Sequence, residues 1–238
     1  MTEQIQLGDI IIDVVKKKIK HMHLSIHPPA GKVRVSAPLR MDSETIRLFV
    51  ISKLAWIRKH QQRMQEQHRE APREYVERES HYVWGKRYLL RVVEKDAAPF
   101  VVLKHDSMQL HVRPETGKAR RQEIVSEWYR ELVKEVVPDL IEKWEPVMGV
   151  RVRQFFVQKM KTRWGSCNYR QGNIRLNTEL AKKPPECLEY VVVHEMAHLL
   201  EPSHNSRFIA LMDSFMPQWR EHRDELKRTP LGHEDWVA

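Results

Sequence analysis

The stretch His194-Glu195-Met196-Ala197-His198, followed by His204, is the part of this chain from which its fold and chemistry are best inferred. A helix turns once in ~3.6 residues, so His194 and His198 would lie one turn apart on the same face. Two neutral imidazoles at that spacing can bind one tetrahedral zinc ion. Glu195 lies beside the first of them, where a carboxylate can take a proton from water bound to the ion. The pattern therefore predicts a hydrolase site.

The residues around this motif predict a buried helix rather than a polar helix face. Pro184-Pro185 can open a helix, because proline suits the first turn. Two histidines and a glutamate on a buried helix need partners, and a metal ion would provide them. The apolar residues that predict this burial are Leu188, Val191, Val192, Val193, Met196, Ala197, Leu199 and Leu200.

Glu201 and His204 compete for the position of third ligand. On an unbroken helix, Glu201 would stay on the same face as the first two ligands. Pro202 favours a helix end at Glu201-Pro202, after which the chain can turn so that His204 reaches the metal. We favour His204, because histidine is the commoner ligand in such sites. Glu201 would then accept a hydrogen bond from a ligand imidazole, or face solvent.

Three segments of the chain resemble one known family. They are Thr162-Arg163-Trp164-Gly165-Ser166-Cys167, Asn173-Ile174-Arg175-Leu176-Asn177, and residues 190–208 around the three histidines. Together they resemble the YgjP-like metallopeptidase family, a zincin family distantly related to the SprT and WLM proteases. The similarity covers most of the chain and is strongest from residue 160 to residue 208. It implies a zinc site of His194, His198 and His204, with Glu195 as general base.

The strands before the metal helix predict where a substrate binds. In zincins the edge strand above the zinc receives an extended peptide, and residues 173–177 are the candidate strand here. Cys167 could reach the metal, but a buried structural thiol is the favoured interpretation. The candidate substrate-binding residues are Arg163, Asn173, Arg175 and Asn205, of which the first and the last could stabilise a developing oxyanion.

The hydrophobic pattern predicts an α+β fold with a β-rich N-terminal part followed by helices. The resemblance implies that the C-terminal part, which carries the His-Glu-x-x-His helix, is a zincin-like metallopeptidase domain. Asp42 or Ser43 can cap the first helix. A long helix is predicted from about residue 118 to 144, kinked or split at Pro138. We divide the chain into a basic β-rich region with one long helix, 1–115, and a hydrolase domain, 116–238, and find no internal repeat. Strand patterns occur at residues 10–15, 22–26, 33–35, 82–84, 88–93, 100–103, 108–112, 152–160 and 173–176.

Positive charge is concentrated near the N-terminus. The 238 residues carry a net charge of +9, and residues 16–40 and 47–63 contain many of the lysines and arginines. Such a surface can follow nucleic acid phosphates or attract an anionic substrate. A basic face that is merely solvated is the competing interpretation.

Several classes of protein are disfavoured. No apolar run approaches the ~20 residues that cross a bilayer. Asp9 and Asp13 interrupt the apolar patch near the N-terminus, so a signal peptide is not expected. Two cysteines provide no disulfide framework. We expect a cytoplasmic protein that does not bind membranes.

Three functions agree with these features. The first is zinc-dependent hydrolysis of peptide bonds, in which Glu195 activates water and later protonates the leaving amine. The second uses the same site on a phosphoanhydride, as in a nucleoside triphosphate pyrophosphatase, because the surface is cationic; the chain has no phosphate loop. The third is a nucleic-acid-associated protein whose basic front binds the polyanion, either a SprT-like protease or a module with a chiefly structural metal. The expected substrate is a polypeptide or an anionic small molecule.

Overall fold

The computed structural model describes residues 2–27, 31–66, 73–160 and 163–228. These residues form two compact units, residues 2–66 and residues 73–228. Both units combine strands with helices. The α+β fold class predicted from the sequence is therefore confirmed.

The first unit is a four-stranded sheet followed by two helices: β1 Thr2–Leu7, β2 Ile10–Lys17, β3 His23–His27, β4 Lys32–Pro38, α1 Ser43–Ser52 and α2 Leu54–Glu66. The strand order is β1-β2-β4-β3, with β2 and β4 parallel and the outer pairs antiparallel. Asp42 caps α1, as predicted, because its Oδ1 accepts a hydrogen bond from the Thr45 amide at 2.7 Å. The sequence did not predict β1.

The second unit begins with a sheet of the same topology: β5 Ser80–Val83, β6 Lys86–Glu94, β7 Phe100–Leu103 and β8 Ser107–Val112. Its order is β5-β6-β8-β7, and again the two central strands are parallel while the outer pairs are antiparallel. The topology thus repeats although no repeat was found in the sequence. Backbone hydrogen bonds define strand order, and different side chains can occupy the same ladder.

Helix α3 runs without a break from Lys118 to Met148 and includes both Pro138 and Pro146. The predicted split at Pro138 is therefore wrong. Proline removes one backbone hydrogen bond from a helix, but packing of the buried face supplies most helical stability in proteins. Val133 and Val137 before the first proline, and Trp144 after it, all belong to one hydrophobic core.

A three-stranded sheet follows α3: β9 Gln154–Gln158, β10 Gly165–Asn168 and β11 Asn173–Asn177. The strand order is β10-β11-β9, so β11 is paired on both sides. The prediction that residues 173–177 form the edge strand that receives a peptide is therefore wrong. The edges of this sheet are β9 and β10, and β10 was predicted to be a turn.

The chain ends its described part with a 3₁₀ helix, Thr178–Lys182, and three α-helices, α4 Pro185–Ala197, α5 Ser206–Phe215 and α6 Trp219–Arg228. The turn between β5 and β6 anchors the 3₁₀ helix, because the Trp84 amide donates to the Ala181 carbonyl at 2.8 Å. Among the described residues, no helix is both long and apolar enough to cross a bilayer.

One hydrophobic core joins the β5–β8 sheet to α3 and α4. The domain boundary predicted between residues 115 and 116 lies in the loop from β8 to α3, and it therefore cuts through this core. The separation between compact units falls instead in the segment between α2 and β5.

Candidate active site

Helix α4 carries the first part of the site and is almost entirely buried. Pro184 occupies the N-cap position and Pro185 begins the helix, as the sequence predicts. The helix ends at Ala197, earlier than the predicted end at Glu201-Pro202. His198 follows immediately as the C-cap residue with helical backbone angles, so it still lies one turn after His194.

The structure brings three imidazoles together: those of His194, His198 and His204. One nitrogen of each ring lies within 4.8 Å of the corresponding nitrogens of the other two, and among the described residues this is the one group of three or more potential metal ligands. The Nε2 atoms of His194 and His204 are 3.0 Å apart. Phe208 of α5 packs against all three rings, with centroid distances of 4.6 to 4.9 Å. The sequence did not predict this contact of Phe208 with the three histidines.

The surroundings favour the neutral form of two of these imidazoles, those of His194 and His198. Burial, together with the two neighbouring imidazoles, lowers the pKa of His194 to about 3. Burial also lowers the pKa of His198, although a hydrogen bond to the Glu201 carbonyl opposes this effect. That hydrogen bond joins His198 Nδ1 to the carbonyl oxygen at 3.1 Å and leaves Nε2 free. Neutral imidazole is the form that binds metals.

Glu201 does not join the cluster through its side chain. Its Oε1 accepts hydrogen bonds from the amide and the hydroxyl of Ser203, at 3.2 and 2.8 Å. Its backbone carbonyl instead orients His198. The turn after His198 therefore directs Glu201 towards Ser203 and leaves His204 beside His194.

Glu195 is buried next to the start of β10, with 5% of its surface exposed. Burial raises the pKa of its carboxyl to about 8, against the opposing effect of the Arg163 cation. A methyl group on Gly165 would lie 2.5 Å from Glu195 Oε1, so any residue other than glycine would have to displace the Glu195 side chain. The Trp-Gly-Ser-Cys motif thus places backbone directly against the carboxylate, a contact that the sequence did not predict.

Cys167 lies on the same face of β10 as Gly165, because side chains alternate along a strand. It is not part of the histidine cluster. Burial and the nearby Glu195 carboxylate raise the pKa of its thiol to about 12. These observations favour the structural-thiol interpretation over metal binding.

The four predicted substrate-binding residues lie in three different places. Arg163 lines a cavity of about 260 Å³ beside His194 and Glu195, which we call the Glu195 cavity. Asn205 caps α5 by accepting a hydrogen bond from the Phe208 amide at 3.0 Å. Asn173 and Arg175 lie on β11 and do not line this cavity.

The orientation of Arg175 follows from the strand register. Leu176 pairs with Gly165, which faces Glu195. Arg175 alternates with Leu176 and therefore projects from the opposite face of the sheet. There its guanidinium lies 5.3 Å from the centre of the Phe156 ring.

Comparisons with known proteins agree with a peptidase. A family model described as YgjP-like, metallopeptidase domain, matches residues 21–229. The chain is thus a metallopeptidase, and it belongs to the YgjP-like family. A search of curated proteins found no significant match.

Two crystal structures of metallopeptidase zymogens show similarity to part of the chain. Abylysin from Pyrococcus abyssi is 23% identical, and the match covers 38% of this chain and 91% of abylysin with a TM-score of 0.36. Jannalysin from Methanocaldococcus jannaschii is 18% identical, and the match covers 38% of this chain and 92% of jannalysin with a TM-score of 0.34.

Proposed function

We propose that the chain is a zinc-dependent metallopeptidase in which His194, His198 and His204 bind the metal and Glu195 is the general base. The observation that carries this proposal is the convergence of three imidazoles beside one buried carboxylate. A metal ligand set without a base would serve a structural site equally well. The carboxylate next to the ligands favours hydrolysis.

The residues present fit a zinc ion. Three neutral imidazoles form a donor set that zinc accepts, and catalytic zinc sites use three protein ligands. Ligand nitrogens in a tetrahedral zinc site are about 3.3 Å apart, close to the 3.0 Å between His194 Nε2 and His204 Nε2. When bound, the ion would polarise the substrate carbonyl and make water more acidic.

Glu195 can hold and move the proton that peptide hydrolysis requires. Its carboxyl is almost fully buried, and this loss of hydration makes its anion a stronger base than an exposed glutamate. It would take a proton from the attacking water and give it to the leaving amine, so that one group acts first as base and then as acid. The backbone of Gly165 lies directly against this carboxylate and limits the conformations open to it.

The Glu195→Gln variant tests the proposed function. We expect zinc-loaded variant protein to cleave an unfolded, alkylated polypeptide at least about 100-fold more slowly than the wild type, because general acid–base catalysis contributes ~10²–10⁴-fold. Its zinc content should not change. Glu186→Gln, an exposed position on the same helix, should retain full activity. Release of phosphate or pyrophosphate from nucleoside triphosphates, without peptide cleavage, would favour the phosphoanhydride hydrolase instead.

A pair of substitutions tests the third ligand. His204→Ala should weaken zinc binding by more than ~10–100-fold, which is the cost of losing a residue that only hydrogen-bonds to a metal ligand. Glu201→Gln should leave the affinity almost unchanged, because the backbone carbonyl of Glu201, and not its carboxylate, contacts His198. Competition with a chelating dye measures both affinities. Equal losses in the two variants would contradict the assignment of His204.

A basic groove in the first unit supports nucleic acid association as a second candidate function. The groove has a volume of about 890 Å³, and none of the described residues that line it is acidic. Cationic grooves follow phosphate backbones without reading sequence. Its charged and imidazole side chains come from Lys17, Lys18, Lys20, His21, His23 and Arg40.

A further inference from the structure

The Glu195 cavity has a size suited to one part of a substrate. Its volume of about 260 Å³ lies below the ~300–1,000 Å³ of pockets that enclose whole drug-sized ligands. It opens beside His194 and Glu195, and Tyr190 and Val191 of α4 form one wall. A side chain of a bound peptide could therefore enter it while the neighbouring peptide bond lies at the histidine cluster.

Two arginines give the Glu195 cavity an excess of positive charge. Arg163 comes from the segment before β10, and Arg223 comes from α6. Among the described residues that line it, the one acidic residue is Glu195, the proposed general base. The Arg163 side chain forms no hydrogen bond or ion pair with any described residue, and its cation acts on the Glu195 carboxyl.

Arg223 packs against aromatic rings, and part of its guanidinium is free to donate hydrogen bonds. Its guanidinium lies 4.9 Å from the centre of the Trp219 ring, which stacks on Tyr190 at 6.4 Å. Its Nε donates to Asp224 at 3.1 Å. Within the described part of the chain, its two Nη atoms have no hydrogen-bond partner. A planar guanidinium with free Nη donors is suited to binding a carboxylate through two hydrogen bonds.

We propose that the Glu195 cavity is a specificity subsite that binds an aspartate or glutamate side chain next to the cleaved bond, with Arg223 and Arg163 as its carboxylate-binding residues. This inference rests on the proposed peptidase function and adds the substrate class. An acidic side chain would bring a carboxylate to the Arg163 guanidinium and to the free Nη donors of Arg223, whose Nε is already paired with Asp224. A neutral side chain of the same shape would offer these donors no charge-assisted hydrogen bond.

Matched peptides and matched variants test this subsite. Cleavage sites in a mixture of peptides of known sequence are first mapped by mass spectrometry, and a peptide pair is then made with Glu or Gln at the selected position. We expect wild-type zinc-loaded enzyme to favour the Glu peptide by at least about tenfold in kcat/KM, as for a charge-assisted hydrogen bond. Arg223→Gln should remove most of this preference, and Arg223→Glu should shift it towards a Lys peptide.

Arg220 of the same helix is the matched control. Its guanidinium also lies over Trp219, at 4.6 Å from the ring centre, but it pairs with Asp213 and does not line the cavity. Arg220→Gln should therefore keep the Glu preference. Calorimetric binding of the same peptides to Glu195→Gln protein gives a second measurement that does not require turnover, and the Glu peptide should bind more tightly there too.

The possible results separate the two proposals. Equal cleavage of the Glu and Gln peptides by the wild type would overturn the acidic subsite and leave the peptidase proposal intact. An equal loss of activity on both peptides in Arg223→Gln would assign this arginine a structural role and would also overturn the subsite. Absence of zinc-dependent cleavage of every peptide would overturn both proposals.

Discussion

Gly165 and Glu195 show how a backbone position can control a functional group. The carboxylate lies where the side chain of any other residue at position 165 would have to be. A glutamate has three rotatable bonds, and close contact with the strand reduces the number of conformations that its carboxylate can adopt. We infer that the glycine contributes to activity through this confinement.

The Gly165→Ala variant tests this inference. The added methyl group would lie 2.5 to 2.9 Å from three side-chain atoms of Glu195, so the carboxylate must move. We expect at least about a 100-fold loss of kcat, since a small misplacement of a reacting group can cost this much. Circular dichroism should show an unchanged secondary structure. Gly117→Ala is the control, because a methyl group there meets no atom within 4 Å; similar losses in both variants would contradict the explanation.

The three histidines show which part of the candidate site can be predicted from the sequence. His194 and His198 are near in the chain, and helical spacing alone predicts that they share a face. The choice between Glu201 and His204 depended on the geometry of a turn. Helix α4 ends earlier than predicted, and hydrogen bonds to Ser203 hold the Glu201 carboxylate.

Strand β10 is the element that was predicted least well from the sequence. It has four residues, includes Gly165 and an asparagine, and lacks the alternation of apolar and polar residues that predicts a strand. It forms a strand because its backbone pairs with that of β11. Because β10 is an edge strand in contact with Glu195, it replaces β11 as the candidate for pairing with an extended peptide.

The start of β10 is held by one buried side chain, that of Asn177 at the end of β11. Its Nδ2 donates to the carbonyls of Met160 and Arg163, both at 2.7 Å. Its Oδ1 accepts from the amides of Met160 and Glu179, at 3.3 and 3.1 Å. Asn177 therefore joins β9, β11 and the segment that leads to Gly165.

We expect Asn177→Ala to destabilise the protein by about 3–5 kcal/mol, because it leaves several buried backbone groups without partners. Denaturant unfolding measures this change. Asn168→Ala removes hydrogen bonds only to Gln171 in an exposed turn and should cost less than about 1 kcal/mol. A comparable cost for the two variants would show that Asn177 does not hold the β10 segment.

Two hydrophobic clusters correspond to the two compact units. The first contains buried residues between Ile10 and Ile57, and the second contains buried residues between Tyr75 and Leu226. The two clusters share no residue. Each unit thus has the apolar interior that independent folding requires.

Two fragments test where the chain can be divided. A fragment of residues 70–238 should fold and bind zinc, because it keeps the whole second cluster. A fragment of residues 116–238 should not fold, since it lacks six buried side chains of the second cluster. The five aliphatic ones are worth about 1.5–3 kcal/mol each, comparable in total with the stability of a domain. Zinc stoichiometry and circular dichroism measure both outcomes. A folded 116–238 fragment would restore the boundary predicted from the sequence. The missing side chains are Tyr75, Val83, Leu90, Met108, Leu110 and Val112.

Local patterns in the sequence determined the α+β class, most strands, the Asp42 cap and the placement of two histidines and a glutamate on one buried helix. These features depend on residues that are close together in the chain, so the periodicity of the hydrophobic residues predicts them. Tertiary structure alone decided that β10 is the edge strand, that Gly165 meets Glu195, and that Arg223 joins Arg163 in one cavity. The residues in each of these contacts are far apart in the chain, and periodicity indicates which face is buried without indicating what covers it.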